Sequence, residues 1–150
     1  NTSLDYIDMH IYPIQRDYLW DKTMRIADIA RSHGKGLTVG EAWLYKTAES
    51  ELSSGVATHE EIFARDAYSF WIPLDQRFLE ALVGLSQSLE MEFITPFWME
   101  YFYAYIEYGP STQATDLAEV SKLVNKEVVK NIDSGYLTPT GETYSELIRD

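Results

Sequence analysis

The pattern of hydrophobic and polar residues divides the start of the chain into a strand, a helix and a second strand. Aliphatic residues at alternate positions predict a strand over 4–13, and the apolar run at 37–43, entered through Gly34 and Gly36, predicts another. Between them, apolar residues at helical spacing predict a helix over 17–32. Strand, helix and strand with short connections form a βαβ unit, so we expect the two strands to be parallel.

Helices and strands continue to alternate along the rest of the chain. Residues 44–57 are polar and small and are predicted to form a loop, after which Thr58 and Glu61 have the spacing of a capping box. The remaining elements are predicted as a helix ending before Pro73, a helix over 74–89, a strand over 91–98, a helix from 115 or 116 to 132 and a short helix after Thr138. The predicted order is β-α-β-(αα)-β-α-α.

This order predicts an α/β fold. Three parallel strands by themselves leave open edges, so we interpret them as the last three β/α units of a (β/α)8 TIM barrel, a partial barrel. Residues 1–150 are then the C-terminal portion of a (β/α)8 catalytic domain. An open doubly wound sheet has the same local rhythm and stays an alternative. Asn1 and Thr2 lead almost directly into a strand without an initiator Met, which suggests a piece of a longer chain.

Charge and composition narrow the classes of partner. The formal net charge is −12, which argues against nucleic acid and anionic membranes because both require a basic surface. Aromatic residues make up 14% of the chain, and their flat faces suit neutral sugars as well as ordinary cores. The sequence has no cysteine, no run long enough to span a bilayer and no signal-peptide pattern. We therefore expect neither a nucleic-acid nor a membrane partner.

Strand alternation places several polar side chains together. Within 4–13, Tyr6, Asp8, His10 and Tyr12 fall on one face of the strand. Within 37–43, alternation puts Glu41 on the same face as the aliphatic residues and Trp43. A carboxylate on a buried strand requires either an ion pair and hydrogen bonds or a chemical role. Asp8 lies mid-strand and inward and is interpreted as a structural member of a buried network.

The ends of the three predicted strands carry residues suited to one kind of chemistry. They offer His10 and Tyr12, then Glu41 and Trp43, then Trp98. A carboxylate that attacks an anomeric carbon, a phenol that orients it and an indole that stacks on the sugar are the parts of a glycoside hydrolase site. The sequence thus favours a carbohydrate substrate and a hydrolase with Glu41 at its centre.

Four short motifs resemble one enzyme family. They are His10-Ile11-Tyr12-Pro13, Val39-Gly40-Glu41-Ala42-Trp43, Pro96-Phe97-Trp98 and Gly135-Tyr136-Leu137-Thr138-Pro139-Thr140-Gly141. They resemble the ends of strands six, seven and eight, and the closing segment, of clan A glycoside hydrolases. These are retaining (β/α)8 enzymes with one catalytic Glu on strand four and one on strand seven, and their site cleaves β-linked glycans. The resemblance extends over nearly the whole chain.

The resemblance implies a role for individual residues. Glu41 would be the catalytic nucleophile and Tyr12 its hydrogen-bond partner. His10 would line the subsite that holds the reacting sugar, and Trp98 would form its floor. Trp43 is a further candidate for substrate binding, although packing is the role we favour for it and for Tyr45.

One part of the family pattern is missing. The acid/base of these enzymes belongs to an Asn-Glu pair, and no Asn-Glu dipeptide occurs in the sequence. We therefore expect the acid/base to lie outside this chain, in the N-terminal part of the same barrel, and expect the segment alone to be inactive. No cofactor is implied. The histidines His10, His33 and His59 have no metal-ligand spacing, so no metal is expected.

Two other interpretations stay open. A non-catalytic carbohydrate-binding or scaffold barrel would keep the aromatic residues without the reaction. Another TIM-barrel enzyme, a lyase or an aldolase, would use Glu41 as a general base. A Schiff-base aldolase requires a lysine at a strand end, whereas Lys35 and Lys46 fall in a predicted turn and loop. The sugar, its linkage, endo or exo action, the oligomeric state and the compartment are not determined, although sugar-cleaving enzymes are often secreted.

Overall fold

Three strands and six α-helices alternate in the part of the chain described by the structure, a computed structural model that covers residues 3–13, 19–113 and 115–149. The elements are β1 (Tyr6–Ile11), α1 (Leu19–Ser32), β2 (Gly36–Ala42), α2 (Glu49–Ser53), α3 (His59–Asp66), α4 (Ile72–Ser88), β3 (Phe93–Pro96), α5 (Leu117–Ser134) and α6 (Pro139–Leu147). Two 3-10 turns, Ser69–Trp71 and Met99–Phe102, follow α3 and β3. None of the helices in these ranges is long and apolar enough to cross a membrane.

The strands form one parallel sheet in the order β1-β2-β3. Tyr6 pairs with Gly36 at one end of the β1–β2 ladder, and Thr38 pairs with Phe93 in the β2–β3 ladder. The prediction of a parallel βαβ unit is confirmed. The helical crossover explains it, because α1 lies between β1 and β2 in sequence and returns the chain to the same end of the sheet.

The predicted partial TIM barrel is wrong. The structure is an α/β fold with a three-stranded parallel sheet, and its described strands and helices do not form a segment of a barrel. The pattern of the sequence could not separate the two, because each βαβ unit looks the same in an open sheet and in a barrel. Closure depends on strand number, tilt and stagger, which are properties of the assembled sheet.

A β-bulge in β2 changes the face on which Glu41 lies. Met9 pairs with Val39, but the next residue, His10, pairs with Glu41, so Gly40 is an extra residue in the ladder. The prediction that Glu41 shares a face with the aliphatic residues of β2 is therefore wrong. A Cβ atom at Gly40 would meet the carboxylate of Asp8, which explains why glycine occupies this position.

The aliphatic face of the sheet forms one of two apolar clusters. It packs on α1 and α4 through buried residues at Met9, Ile11, Ala27, Ala30, Leu37, Val39, Ala42, Leu82 and Leu89. The second cluster lies beyond the carboxyl ends of the strands and joins α3, α4, α5 and the turn Met99–Phe102 around Trp43. Large side chains buried in this way each stabilise the fold by about 1.5–3 kcal/mol.

Helix ends follow the sequence signals closely. Thr58 and Glu61 form the predicted capping box, Asp116 caps α5, and Gly135 ends it with a positive φ of 72°. The helix predicted to end just before Pro73 instead ends at Asp66. Pro73 does not stop a helix but lies in the first turn of α4, where proline is favoured. The predicted loop 44–57 contains the short helix α2. The predicted helix start at residue 17, like Asn1 and Thr2, lies outside the described residues.

Candidate active site

The candidate site lies at the carboxyl ends of β1 and β2, where backbone hydrogen bonds keep the two chain segments paired. Beyond the strands, the backbone amide of Trp43 donates to the carbonyl of Ile11 at 3.1 Å, and the amide of Tyr45 donates to that of Pro13 at 3.3 Å. These bonds extend the parallel pairing past the last strand residues. They keep Tyr12 and Glu41 next to each other although 29 positions separate them in sequence.

Glu41 makes both of its polar contacts through one oxygen. The hydroxyl of Tyr12 donates to Oε2 at 2.9 Å, and Nδ1 of His10 lies 3.2 Å from the same atom. Within the described ranges no hydrogen bond or ion pair reaches Oε1. The Glu41 side chain keeps 34% of its surface exposed. One oxygen is thus held, whereas the other has no hydrogen-bond or ion-pair partner among the described residues.

His10 stands between two carboxylates. Its Nε2 lies 3.4 Å from Oδ2 of Asp8, on the opposite side of the ring from Glu41. Asp8 also accepts a hydrogen bond of 2.6 Å from the hydroxyl of Thr38. The predicted common face of Asp8, His10 and Tyr12 is confirmed by these contacts. Asp8 belongs to a network of polar contacts, but it is exposed, so the prediction of a buried network is wrong. The bulge at Gly40 brings Glu41 into that network.

Tyr12 acts as a hydrogen-bond donor across the usual pH range. Burial raises the pKa of Tyr12 well above its ordinary value, and the hydrogen bond and the charge of Glu41 raise it further. The phenol therefore keeps its proton whenever Glu41 is ionised. A protonated phenol at 2.9 Å from a carboxylate fixes the orientation of that carboxylate.

A row of aromatic rings extends from Tyr12. Its ring centroid lies 5.5 Å from Tyr45 and 6.0 Å from Phe97. Tyr45 stacks on Phe63 at 5.8 Å, and Trp98 lies within 5.5 Å of Phe63 and 5.0 Å of Phe97. These distances are typical of aromatic pairs in contact. The rings form a continuous apolar wall beside the carboxylate.

The structure brings some of the sequence-predicted site residues together and separates others. Glu41, Tyr12 and His10 are in direct contact. Trp98 is half-buried and joins the aromatic wall through Phe97 rather than through Tyr12. Trp43 does not line the site, because its side chain is only 1% exposed.

Trp43 therefore corrects one expectation. β2 ends at Ala42, and the indole of Trp43 enters the second apolar cluster, where it packs against Phe78 and Tyr101 at 6.1 and 5.9 Å. Alternation predicted Trp43 on the same strand face as Glu41. In the structure, the helices that cover the end of β2 enclose it instead. The packing role, which the sequence favoured over substrate contact, agrees with this position.

Sequence reasoning missed Phe97 as a site residue. It is 42% exposed and lies beside Tyr12, whereas its neighbour Trp98 was selected. The signal was present, since both residues belong to the Pro96-Phe97-Trp98 motif after the third strand. Adjacent residues at a strand end point in different directions, and only the coordinates show which one faces Tyr12.

A second group of ionisable side chains is buried behind the site. Nζ of Lys46 lies 2.9 Å from Oδ1 of Asp75 and 3.7 Å from Oδ1 of Asp66, and all three side chains are almost completely enclosed. The 2.9 Å contact is short enough for a hydrogen bond but is poorly directed, so it is best described as an ion pair. Tyr105 donates to Oδ2 of Asp75 at 2.8 Å.

Burial dominates the titration of this group. It raises the pKa of Asp66 to about 7, although the ammonium of Lys46 opposes the rise. Burial also raises the pKa of Asp75, again against the effect of Lys46. These carboxylates are enclosed by aromatic and aliphatic side chains, so they do not face a substrate.

The arrangement suits acid, base or nucleophilic chemistry on a small neutral molecule. Among the described residues, no group of three or more imidazole and carboxylate side chains is placed to hold a metal ion. Searches against protein-family models, curated proteins and solved structures return no match. The resemblance to clan A glycoside hydrolases is therefore neither supported nor contradicted by a relative, and it stays a prediction.

Proposed function

We propose that this chain carries the nucleophile of a retaining glycoside hydrolase that acts on a β-linked glycan. The observation that supports the proposal is the asymmetric environment of Glu41. Tyr12 and His10 hold Oε2, whereas Oε1 has no polar partner among the described residues, and a row of aromatic rings with Phe97 exposed begins at Tyr12. A nucleophilic carboxylate requires this combination, because it must be oriented by one oxygen and free to react with the other.

The proposed reaction begins with attack by Oε1 of Glu41 on the anomeric carbon of the sugar. A carbon–oxygen bond forms to the carboxylate while the glycosidic bond breaks, and the departing oxygen takes a proton from a second carboxylic acid. Water, deprotonated by that second residue, then cleaves the glycosyl ester and restores Glu41. The hydroxyl of Tyr12 stabilises the negative carboxylate before attack and limits its rotation.

The second carboxyl group is proposed to come from outside residues 1–150. Retaining chemistry places two carboxyl groups about 5 Å apart with the glycosidic oxygen between them. Asp8 does not provide this geometry, because the imidazole of His10 occupies the space between Asp8 and Glu41. A polypeptide segment that faces Glu41 across the open side of the sheet would complete the pair, and residues 1–150 alone would then be inactive on natural glycans.

The remaining predicted residues have proposed roles in substrate binding. His10 is proposed to contact a hydroxyl of the reacting sugar, since its ring is more than half exposed and adjoins Glu41. The exposed face of Phe97 is placed to stack on the apolar face of that sugar, and Trp98 supports it from behind. Trp43 has no contact role in this proposal.

A reagent that does not need the acid/base tests the nucleophile directly. Dinitrophenyl 2-deoxy-2-fluoro-β-glycosides of glucose, mannose and xylose lose their leaving group without protonation, and the fluorine slows hydrolysis of the glycosyl ester. We expect one of them to add a single glycosyl unit to residues 1–150. Peptide mass spectrometry should place the adduct on Glu41, and Glu41→Gln should remove it, which corresponds to a loss on the order of 10³-fold or more in the labelling rate.

Asp8→Asn provides the matched control, because it removes a neighbouring carboxylate on the same face and leaves Glu41 in place. It should retain the adduct on Glu41. Labelling of Asp8, labelling that survives Glu41→Gln, or no labelling by any of the three reagents in a chain whose fold is verified by circular dichroism would contradict the proposal. Sugar binding without labelling would instead favour a carbohydrate-binding protein.

A further inference from the structure

A cleft is bordered by α3, the turn Ser69–Trp71 and the start of α5. Its volume is about 740 Å³, within the range of small-molecule sites. Helix α3 contributes to both sites, since Phe63 joins the aromatic wall near Tyr12 while Ala64 lines the cleft. None of the residues lining the cleft is a described partner of Glu41. The two sites are therefore separate.

Aromatic rings form one wall of this cleft. Tyr68 and Phe70 stack at 5.7 Å with nearly parallel planes, and Tyr108 stands perpendicular to both, at 5.0 and 5.7 Å. Phe70 is 52% exposed and Tyr108 is 53% exposed, so both rings offer apolar surface to solvent. The polar groups beside them are Glu60, Gln113 and Thr115. Flat apolar faces next to hydrogen-bonding groups match the two kinds of surface on a sugar ring.

Hydrogen bonds fix the walls of the cleft to each other. The hydroxyl of Tyr68 donates to the carbonyl of Thr112 at 2.8 Å, and the amide of Ser69 donates to the carbonyl of Ile106 at 2.9 Å. The hydroxyl of Ser69 also donates to Oε1 of Glu107 at 2.8 Å. A preformed wall reduces the entropy lost when a ligand binds.

Charge at the cleft selects among possible ligands. Its only lining cation in the described part of the chain is Arg65, which pairs with Glu51 at 2.7 Å, whereas Glu60, Glu61 and Asp116 are acidic. Phosphates, sulfated sugars and uronic acids would therefore be repelled. A quaternary ammonium would need a cage of separated rings, but these rings are in contact and leave no space between them. A neutral ligand fits the charge and the shape best.

We propose that this cleft is a second, non-catalytic binding site for a neutral oligosaccharide, with Phe70 and Tyr108 as its stacking platforms. The choice of a β-linked glycan rests on the proposed function, because the same glycan would be the substrate of the site at Glu41. The cleft itself is argued from its own rings and charges and does not require Glu41.

Isothermal titration calorimetry with four neutral hexasaccharides tests the proposal: cellohexaose, laminarihexaose, xylohexaose and mannohexaose. Residues 1–150 are titrated as the parent and as the double variant Phe70→Ala/Tyr108→Ala. Tyr136→Ala is the matched control, since Tyr136 is 51% exposed and does not line the cleft. Equal urea midpoints establish that all three chains fold.

We expect at least one hexasaccharide to bind and the double variant to weaken its binding by tenfold or more, whereas Tyr136→Ala leaves it unchanged. Hexagalacturonic acid, which is anionic, should not bind. An affinity and stoichiometry of hexasaccharide binding that are the same in the double variant as in the parent, preference for the anionic sugar or for tetramethylammonium, or no binding to any hexasaccharide would overturn the proposal.

Fluoroglycoside labelling separates this proposal from the catalytic one. Normal labelling of Glu41 in the double variant, together with lost hexasaccharide binding, would support both. If Glu41 is labelled but Phe70 and Tyr108 contribute nothing to hexasaccharide binding, the catalytic proposal stands and the second site is removed. Binding at the cleft without labelling of Glu41 would leave the second site intact and remove the catalytic proposal.

Discussion

Two groups of ionisable side chains lie close to the end of β2, and they differ in their access to solvent. Glu41, with Tyr12 and His10, lies on the open face of the sheet. Lys46, only five residues further along the chain, is enclosed with Asp66 and Asp75. Both groups satisfy their charges with nearby partners. Only the first is partly exposed to solvent, so accessibility distinguishes a candidate catalytic group from a structural one.

The buried group of Lys46, Asp66 and Asp75 attaches the segment after β2 to α3 and α4. Lys46 lies on that segment, whereas Asp66 ends α3 and Asp75 lies in α4. The ammonium is also 5.4 Å from the ring centroids of Trp43 and Tyr101. Ion pairs and cation–π contacts thus join three parts of the chain at one point. Burying such a group is costly, so breaking it should cost much more than changing an exposed carboxylate.

The largest expected change in stability follows from Lys46→Met. Methionine fills most of the space of the lysine side chain but leaves Asp66 and Asp75 without a cation in an enclosed site. Loss of one partner from a buried pair typically destabilises a protein by about 3–5 kcal/mol. Urea denaturation at pH 7.5 should show a decrease of this size in the free energy of unfolding.

Glu41→Gln is the control for this comparison, because Glu41 also pairs with neighbours but is partly exposed. It should change the free energy of unfolding by less than about 1 kcal/mol. Adding Asp66→Asn and Asp75→Asn to Lys46→Met removes the stranded charges and should recover part of the lost stability. Equal effects of Lys46→Met and Glu41→Gln would show that the two groups do not differ as the structure indicates.

The second prediction concerns pH. Asp66 has an ordinary pKa of 3.8, and burial raises it to about 7 in the folded protein. Between these values the folded state binds more protons than the unfolded state, so the free energy of unfolding should fall as the pH rises from about 4 to about 7. One such group contributes up to about 1.4 kcal/mol per pH unit.

Asp66→Asn isolates this contribution, because the amide does not titrate. Urea denaturation of the parent and of the variant at pH 5, 6 and 7 should give a smaller decrease for Asp66→Asn. Parallel curves for the parent and Asp66→Asn would contradict the raised pKa of Asp66.

The smallest expected effect is that of Tyr12→Phe, which removes one hydrogen bond to Glu41 and keeps the aromatic ring. Hydrogen bonds to charged groups are worth about 1.5–3 kcal/mol, so labelling of Glu41 should slow roughly 10- to 100-fold. The rate is measured by the release of dinitrophenol. Tyr6→Phe, an exposed tyrosine on the same strand face, should label at the parent rate. An unchanged rate in Tyr12→Phe would exclude Tyr12 as the orienting residue.

The sequence by itself determined the local structure and the main residues of the candidate site. Alternation in β1 put His10 and Tyr12 on one face, and helical crossover made β1 and β2 parallel, because both depend on neighbours in the chain. The caps at Thr58 and Asp116 were evident from their spacing for the same reason. Glu41 was identified from its position at the end of a buried strand.

The tertiary structure alone decided the remaining features, because each depends on contacts between distant segments. The bulge at Gly40 placed Glu41 beside His10, and Asp8 on the neighbouring strand approaches Gly40 too closely for a larger side chain. Packing also decides whether the sheet closes into a barrel and which of Phe97 and Trp98 faces Tyr12. It likewise decides which carboxylates pair with Lys46. Periodicity reports the environment of a residue within its own element, whereas these outcomes depend on what the other elements place beside it.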